Sequence, residues 1–282
     1  VDVAAAKPRK QPRGHHLSHY FLLLPAILLS VSVVLVPGIF TLFSSFTNWN
    51  GVSWDFDFVG IGNYLSIFED RTFRTAVKNN VIWTALFLTI PVALGLGAAM
   101  LLLRRPRTRN AYQVIFLLPY VMAAIVNAIV WLNMIYSPIS GLFGWLNKYG
   151  IPISSPLSST TWAIYGVAAV DIWHYWSFLL IIYLAALRQT PIEQVEAAQL
   201  DGASSWQIFR NVYLPNIRPT LQLTFVMIII FSFLTFDYVF LMTQGGPANS
   251  TEIMATYAYS LAFATFQFGK AAAVGIVMGV FG

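Results

Sequence analysis

Three ionisable side chains sit inside long apolar runs. Asp171 and His174 lie one helical turn apart in a run over 160–187, and Asp237 lies in a second run over 220–243. An ionisable group in such a run is costly and marks a functional position by default. On a helix, Asp171, His174, Tyr175 and Phe178 share one face, while Trp173, Trp176 and Ser177 point away. Counted from the outer ends of their runs, Asp171 lies roughly 16 Å deep and Asp237 roughly 10 Å, so both can border one cavity. Tyr238, and Asn127 and Asn133 in a third run, add polar groups. Carboxylates, an imidazole and aromatic faces suit a polyhydroxylated ligand, through charge-assisted hydrogen bonds and ring contacts. The same residues could instead hydrogen-bond between helices and hold a bundle together. Asp171 and His174 could also relay protons in a secondary transporter, and Asp171 with Asp237 could serve a membrane-embedded enzyme.

Other chemistries are excluded. With no cysteine there is no thiol catalysis, disulfide framework or thiolate metal site. No Gly-x4-Gly-Lys-Ser/Thr loop occurs; Gly269-Lys270 lacks the earlier glycine and the following hydroxyl. The chain therefore carries no ATP site of this type. His15, His16 and His19 sit in a basic tail and read as solvated, and no zinc-protease or nucleophile-elbow stretch is present.

The elements that must position these residues are membrane helices. Hydrophobic residues make up 57% of the chain and charged residues 10%, with mean hydropathy +0.67; a soluble domain has about 25% charged residues. Helix rises about 1.5 Å per residue, so about 20 apolar residues cross a bilayer. Five runs qualify, at 20–46, 80–103, 112–136, 160–187 and 220–243, and a sixth over 270–282 is too short and reads as a helix cut by the end of the sequence. The fold class expected is an all-α membrane protein, a bundle of six transmembrane helices, the last one truncated. The first run is too long for a signal-peptide core and reads as an uncleaved span.

Basic residues set the orientation. Eleven fall in the 1–19 tail and in the loops after the second and fourth runs; five fall in the other loops. The N-terminus is therefore expected inside. The net charge of +5 comes from these short clusters beside apolar runs, which argues for a membrane and against a nucleic-acid partner. Gly95, Gly97, Ala98 and Ala99 offer a small-residue stretch for close helix approach. The loops at 137–160 and 244–269 have room for interfacial helices, with Tyr257, Tyr259, Phe263 and Phe266 suited to headgroup level.

Residues 188–219 form the second chemical feature. Thr190 can cap a helix with Pro191 in its first turn and Glu193 reaching back. Helix then runs over 191–200, and Gly202 can turn the chain in the left-handed conformation. Trp206, Phe209, Val212 and Tyr213 recur at helical spacing, until Pro215 and Pro219 end the second piece. The product is a helix-turn-helix on the cytoplasmic face, built to protrude and be gripped.

The pattern Glu196-Ala197-Ala198, three residues, Gly202, nine residues, Val212-x-Leu214-Pro215 resembles the EAA loop of ABC importer permeases, with Val212 where the family usually has Ile. Asp201-Gly202-Ala203 resembles the carbohydrate-uptake branch. So do Val59-Gly60-Ile61-Gly62-Asn63-Tyr64, the stretch from Phe236 to Thr243, and Gly245-Gly246-Pro247, which resemble its MalF-like subunit. The resemblance implies a multi-pass subunit of the bacterial inner membrane for a sugar-like solute. Its implied partners are a second homologous permease, two ATP-binding subunits, an extracytoplasmic solute-binding protein and membrane lipid. ATP and magnesium would belong to the ATPase, with no cofactor in this chain. Glu196, Ala197, Ala198, Asp201, Gly202, Ala203, Leu214 and Pro215 would couple to that ATPase, and the chain itself would not be an enzyme.

Overall fold

The computed structural model describes residues 16–105 and 107–281, with side chains from residue 22 onward. Most of the basic tail expected over 1–19, through His15, lies outside the described residues, as does Gly282. Among the described residues, four helices are long and apolar enough to cross a membrane, or five if one bent pair counts as a single span.

The first of these is α1 (His16–Ser30) and α2 (Val36–Ser44), joined without interruption through a π turn at Val31–Leu35. From Leu22 through Phe43 no residue of it is buried, whereas Ser44 at its end is. After α3 (Gly62–Glu69) comes α4 (Arg71–Leu103), 33 residues long. Helix therefore begins nine residues before the apolar run at 80, because Asp70 caps it: its carboxylate accepts the Thr72 amide at 2.6 Å. At about 50 Å, α4 outreaches the bilayer core.

The third run is not one straight span. It divides into α5 (Arg109–Val121) and α6 (Ala124–Val130), the latter continued by a π turn to Ile135, and the two halves bend by 93°. Pro119 removes one rung of the ladder before the break, and Met122 and Ala123 are extended. The 137–160 loop holds α7 (Leu142–Lys148) and a 3-10 turn at Pro156–Ser158. Next comes α8 (Ala163–Leu187), whose inward face carries the core. Trp83, Phe87, Val92, Ala99 and Leu102 of α4 pack with Val167, Leu179, Leu180, Tyr183, Leu184 and Leu187 of α8 in one buried cluster. Gly95 permits this approach: a Cβ there would lie 3.0 Å from the Leu179 Cβ and 3.0 Å from the Leu180 amide. Gly97 takes no part in it.

Two expectations fail in the stretch after α8. The helix α9 (Ile192–Leu200) starts at Ile192, because Pro191 is extended with ψ 128° and no side chain caps it. Thr190 is thus out of reach of the first-turn amides, and its buried hydroxyl finds no partner among the described residues. The capping box lies farther on, where the Ser204 hydroxyl accepts the Gln207 amide and the Gln207 carbonyl accepts the Ser204 amide at 2.7 Å. The second piece does not end at Pro215 or Pro219 either. α10 (Ser205–Ile208) passes through a π turn at Phe209–Tyr213 into α11 (Leu214–Leu234), one continuous helix of 30 residues. The π turn shifts the ladder, the Leu214 amide bonding to the Phe209 carbonyl, so that Pro215 opens the new register where its missing N–H costs least.

The fifth run also breaks. α11 stops at Leu234, Thr235 and Phe236 leave helical geometry, and α12 (Asp237–Met242) follows. A loop leads to α13 (Met254–Tyr259), a π turn at Ser260–Ala264 and α14 (Phe268–Phe281), an apolar helix of 14 residues. A second core cluster joins α3, the start of α4, α13 and α14 through Ile67, Phe73, Ala76, Met254, Leu261, Ala273 and Val274. Tyr257 belongs to it. It is buried, and its hydroxyl donates to Asp70 at 2.8 Å, whereas Tyr259, Phe263 and Phe266 remain exposed.

Candidate functional site

The two broken runs meet. A cavity of about 340 Å3 opens where the α5–α6 break faces the α11–α12 break across α8. Asp171, His174 and Tyr175 line it from α8, Tyr120 and Ala124 from either side of the first break, and Thr235, Phe236, Asp237 and Tyr238 from the second. Its remaining walls include Trp83 and Phe87 of α4 and Phe231 and Ser232 of α11. Discontinuous helices that meet in this way are how transporters build a polar site at membrane depth, since freed backbone is tolerated only where it lines a cavity or is packed in protein.

Five of the seven residues expected near a ligand line this space: Asp171, His174, Tyr175, Asp237 and Tyr238. The His174 Nδ1 lies 3.8 Å from an Asp171 carboxylate oxygen, an ion-pair distance too long for a hydrogen bond. The imidazole sits 5.1 Å from the Tyr120 ring and 5.9 Å from the Tyr238 ring. His174 Nδ1 and the Tyr175 hydroxyl are buried without a hydrogen-bond partner among the described residues. Asp237 differs from expectation. It opens the short helix after the break and has an exposed side chain, not one sunk in a continuous span.

Asn127 stands one step behind the cavity. Fully buried, it donates from Nδ2 to the Tyr238 hydroxyl at 2.9 Å and so ties α6 to α12. Asn133 does not join the group. Its side chain is exposed and donates to the Ile129 carbonyl of its own helix at 2.9 Å. The sequence reading missed the aromatic walls. Trp83 and Phe87 stack at 5.4 Å, and Tyr120 stacks on Phe178 at 5.0 Å. Their i, i+4 spacing on α4 and the proline next to Tyr120 were the available signals.

The second site is the loop at the opposite end of α11. Gly202 has φ +74° with open space around its Cα, the left-handed turn that its position requires. The Asp201, Gly202 and Ala203 amides bond back to the Ala197, Gln199 and Ala198 carbonyls, which closes α9 tightly. Glu196, Ala197, Asp201, Gly202 and Pro215 are exposed, Ala198, Ala203 and Leu214 are half-buried, and Val195 alone on α9 is buried. Ile192 and Leu200 are apolar and 59% and 89% exposed. Asn216 of α11 donates to the Gln194 side chain of α9 at 2.9 Å, which fastens the loop to the long helix.

Residues 90–282 match the family described as binding-protein-dependent transport system inner membrane component. A probable ABC transporter permease protein of Pyrococcus horikoshii is 35% identical over 260 residues, covering 91% of this chain and 88% of that one. A probable starch degradation products transport system permease protein of Thermoanaerobacterium thermosulfurigenes is 30% identical over 270 residues, covering 92% and 88%. Among solved structures, a bacterial ABC transporter involved in the import of the acidic polysaccharide alginate aligns with a TM-score of 0.82 and 25% identity, over 94% of this chain and 92% of that one.

Proposed function

Because this multi-pass membrane chain belongs to the binding-protein-dependent transport system inner membrane component family, we propose that it is the permease subunit of an ATP-driven importer for a sugar or sugar-like solute. In this reading it spans a bacterial inner membrane six times, with α14 in the sixth span and its N-terminus in the cytoplasm. It pairs with a second homologous permease, two ATP-binding subunits and an extracytoplasmic solute-binding protein. The sugar assignment draws on the relatives, whose names concern starch products and alginate, and on the carboxylate, imidazole and aromatic lining of the cavity.

One observation carries the coupling. The continuous helix Ser205–Leu234 begins at the exposed loop and ends at the cavity, where Phe231, Ser232 and Leu234 form part of the wall. Thirty residues of helix span about 45 Å. A push on α9 and Gly202, fastened to this helix through Asn216 and Gln194, moves the cavity wall as a rigid body. Closure of an ATPase dimer around Glu196, Ala197, Ala198, Asp201, Gly202 and Ala203 would supply the push, with Leu214 and Pro215 at the joint. ATP and magnesium act on the ATPase, and alternating access follows from the two positions of the helix. A proton relay through Asp171 and His174 would leave this exposed lever without a task.

The test is Gly202→Trp in the assembled transporter. A non-glycine residue at φ +74° opposes the turn by about 1–2 kcal/mol, and the indole blocks docking. Transport should fall at least tenfold while the folded complex remains in the membrane. Undiminished transport would remove the coupling assignment.

A further inference from the structure

One side of α4 carries a groove outside the cavity, whose floor includes Leu96 and Met100, two side chains that also pack against the core. Ala93, Leu96, Gly97 and Met100 form its floor, Ser205, Trp206 and Phe209 its far wall, and Arg104 its end, around about 410 Å3. A Cβ added at Gly97 would meet nothing within 4 Å, in contrast to Gly95 two residues earlier. Trp206 is 65% exposed and its ring lies 5.4 Å from that of Phe209.

Length and charge identify the occupant. From Ala93 to Arg104 the helix rises about 16 Å, close to half of the ~30 Å hydrocarbon core, the depth of one leaflet. The apolar floor thus runs the length of an acyl chain and ends on a cation. Arg104 is exposed, no carboxylate pairs with it among the described residues, and Arg105, Arg107 and Arg109 follow at the same end. We infer that this groove is a specific site for one anionic phospholipid of the leaflet on the arginine-rich side. Its chain lies over Gly97 and against Trp206 and Phe209, and its phosphate lies on Arg104. A zwitterionic lipid fits the floor equally, but its amine repels Arg104 and its neighbours. Phe209 opens the π turn that joins the loop to α11, so the bound lipid braces the joint of the lever.

The experiment uses the assembled transporter in nanodiscs of phosphatidylcholine alone or mixed with phosphatidylglycerol. Native mass spectrometry reads the lipid retained after extraction, and transport is measured in vesicles of the same two compositions. The wild type should retain phosphatidylglycerol in preference to phosphatidylcholine. Arg104→Gln should weaken that retention about fivefold, the loss of one arginine–lipid contact of about 1 kcal/mol. Gly97→Leu, whose Cβ would meet nothing within 4 Å, should abolish retention at this site and remove the stimulation of transport by phosphatidylglycerol. Equal retention by wild type and both variants overturns the inference, and so does equal retention of the two lipids. Loss of the second permease from the Gly97→Leu complex also overturns it, since a partner helix would then be the occupant.

Discussion

Asn80 of α4 donates from Nδ2 to the Ser232 carbonyl at 2.8 Å, where an unbroken α11 would have bonded that carbonyl to the amide of residue 236. The same side chain accepts the Met254 amide at 2.8 Å through Oδ1, at the first residue of α13. One fully buried amide thus ends α11 and starts α13, and it stabilises the break that lines the cavity.

Asn80→Leu should therefore cost more than an ordinary core change. It leaves the Ser232 carbonyl and the Met254 amide buried without partners, at about 1–3 kcal/mol each. Asn80→Asp keeps the acceptor for Met254 but sets a buried carboxyl against the Ser232 carbonyl, so it should also fall below the wild type. Thermal unfolding of the purified protein in detergent checks the order; an Asn80→Leu variant as stable as the wild type contradicts it.

In the cavity, Asp171→Asn and His174→Gln should each weaken transport of the solute about tenfold, as expected when one charge-assisted hydrogen bond of about 1.5 kcal/mol is lost. Asn133→Ala should leave transport unchanged, because its amide bonds only its own helix. Uptake assays with the three variants at equal expression read the difference. An Asn133→Ala defect as large as that of Asp171→Asn would place the solute path elsewhere.

Much of this arrangement was legible from local pattern. The apolar runs located the long helices, and Glu196, Ala197, Ala198 and Gly202 located the exposed turn, because hydropathy and left-handed glycine act over a few residues. The two breaks were not legible. The one at Thr235–Phe236 depends on Asn80, which is distant in sequence, and no local signal beyond Pro119 marks Met122–Ala123. The early start of α4 was legible in principle, since Asp70 followed by Thr72 is a cap signal, yet the apolar boundary overrode it. Pro215 and Pro219 were misread as stops because proline opens a helix register as readily as it closes one.

Acid should act on the polar cluster around Asp70 and Glu252 in two separate windows. Burial pushes the carboxyl of Glu252 above its ordinary 4.5, only partly opposed by the Thr256 hydroxyl. Burial also raises Asp70, but the hydrogen bonds from Tyr257 and Thr72 outweigh it and hold Asp70 below its ordinary 3.8. A raised carboxyl favours the folded state as it protonates, so stability should rise as pH falls through the Glu252 window toward 4.5. A depressed carboxyl does the reverse, so the Asp70 contribution should be lost only below 3.8. Glu252→Gln should be more stable than the wild type at neutral pH and show a flatter melting profile above 4.5. A profile identical to the wild type would show that Glu252 does not titrate in this window.

Leu200 gives the sharpest separation between folding and docking. Its side chain is 89% exposed at the end of α9, beside the Gly202 turn, and it lies outside both buried clusters. Leu200→Ser should therefore leave the melting temperature of the isolated permease unchanged, within about 0.5 kcal/mol. If the ATPase covers this residue, burial of a leucine contributes about 1.5–3 kcal/mol to the interface. Association should then weaken about ten- to 150-fold. Measuring ATPase binding and permease melting on the same variant distinguishes the two. Weakened binding with unchanged melting places the ATPase on Leu200; unchanged binding moves the docking surface off the exposed end of α9.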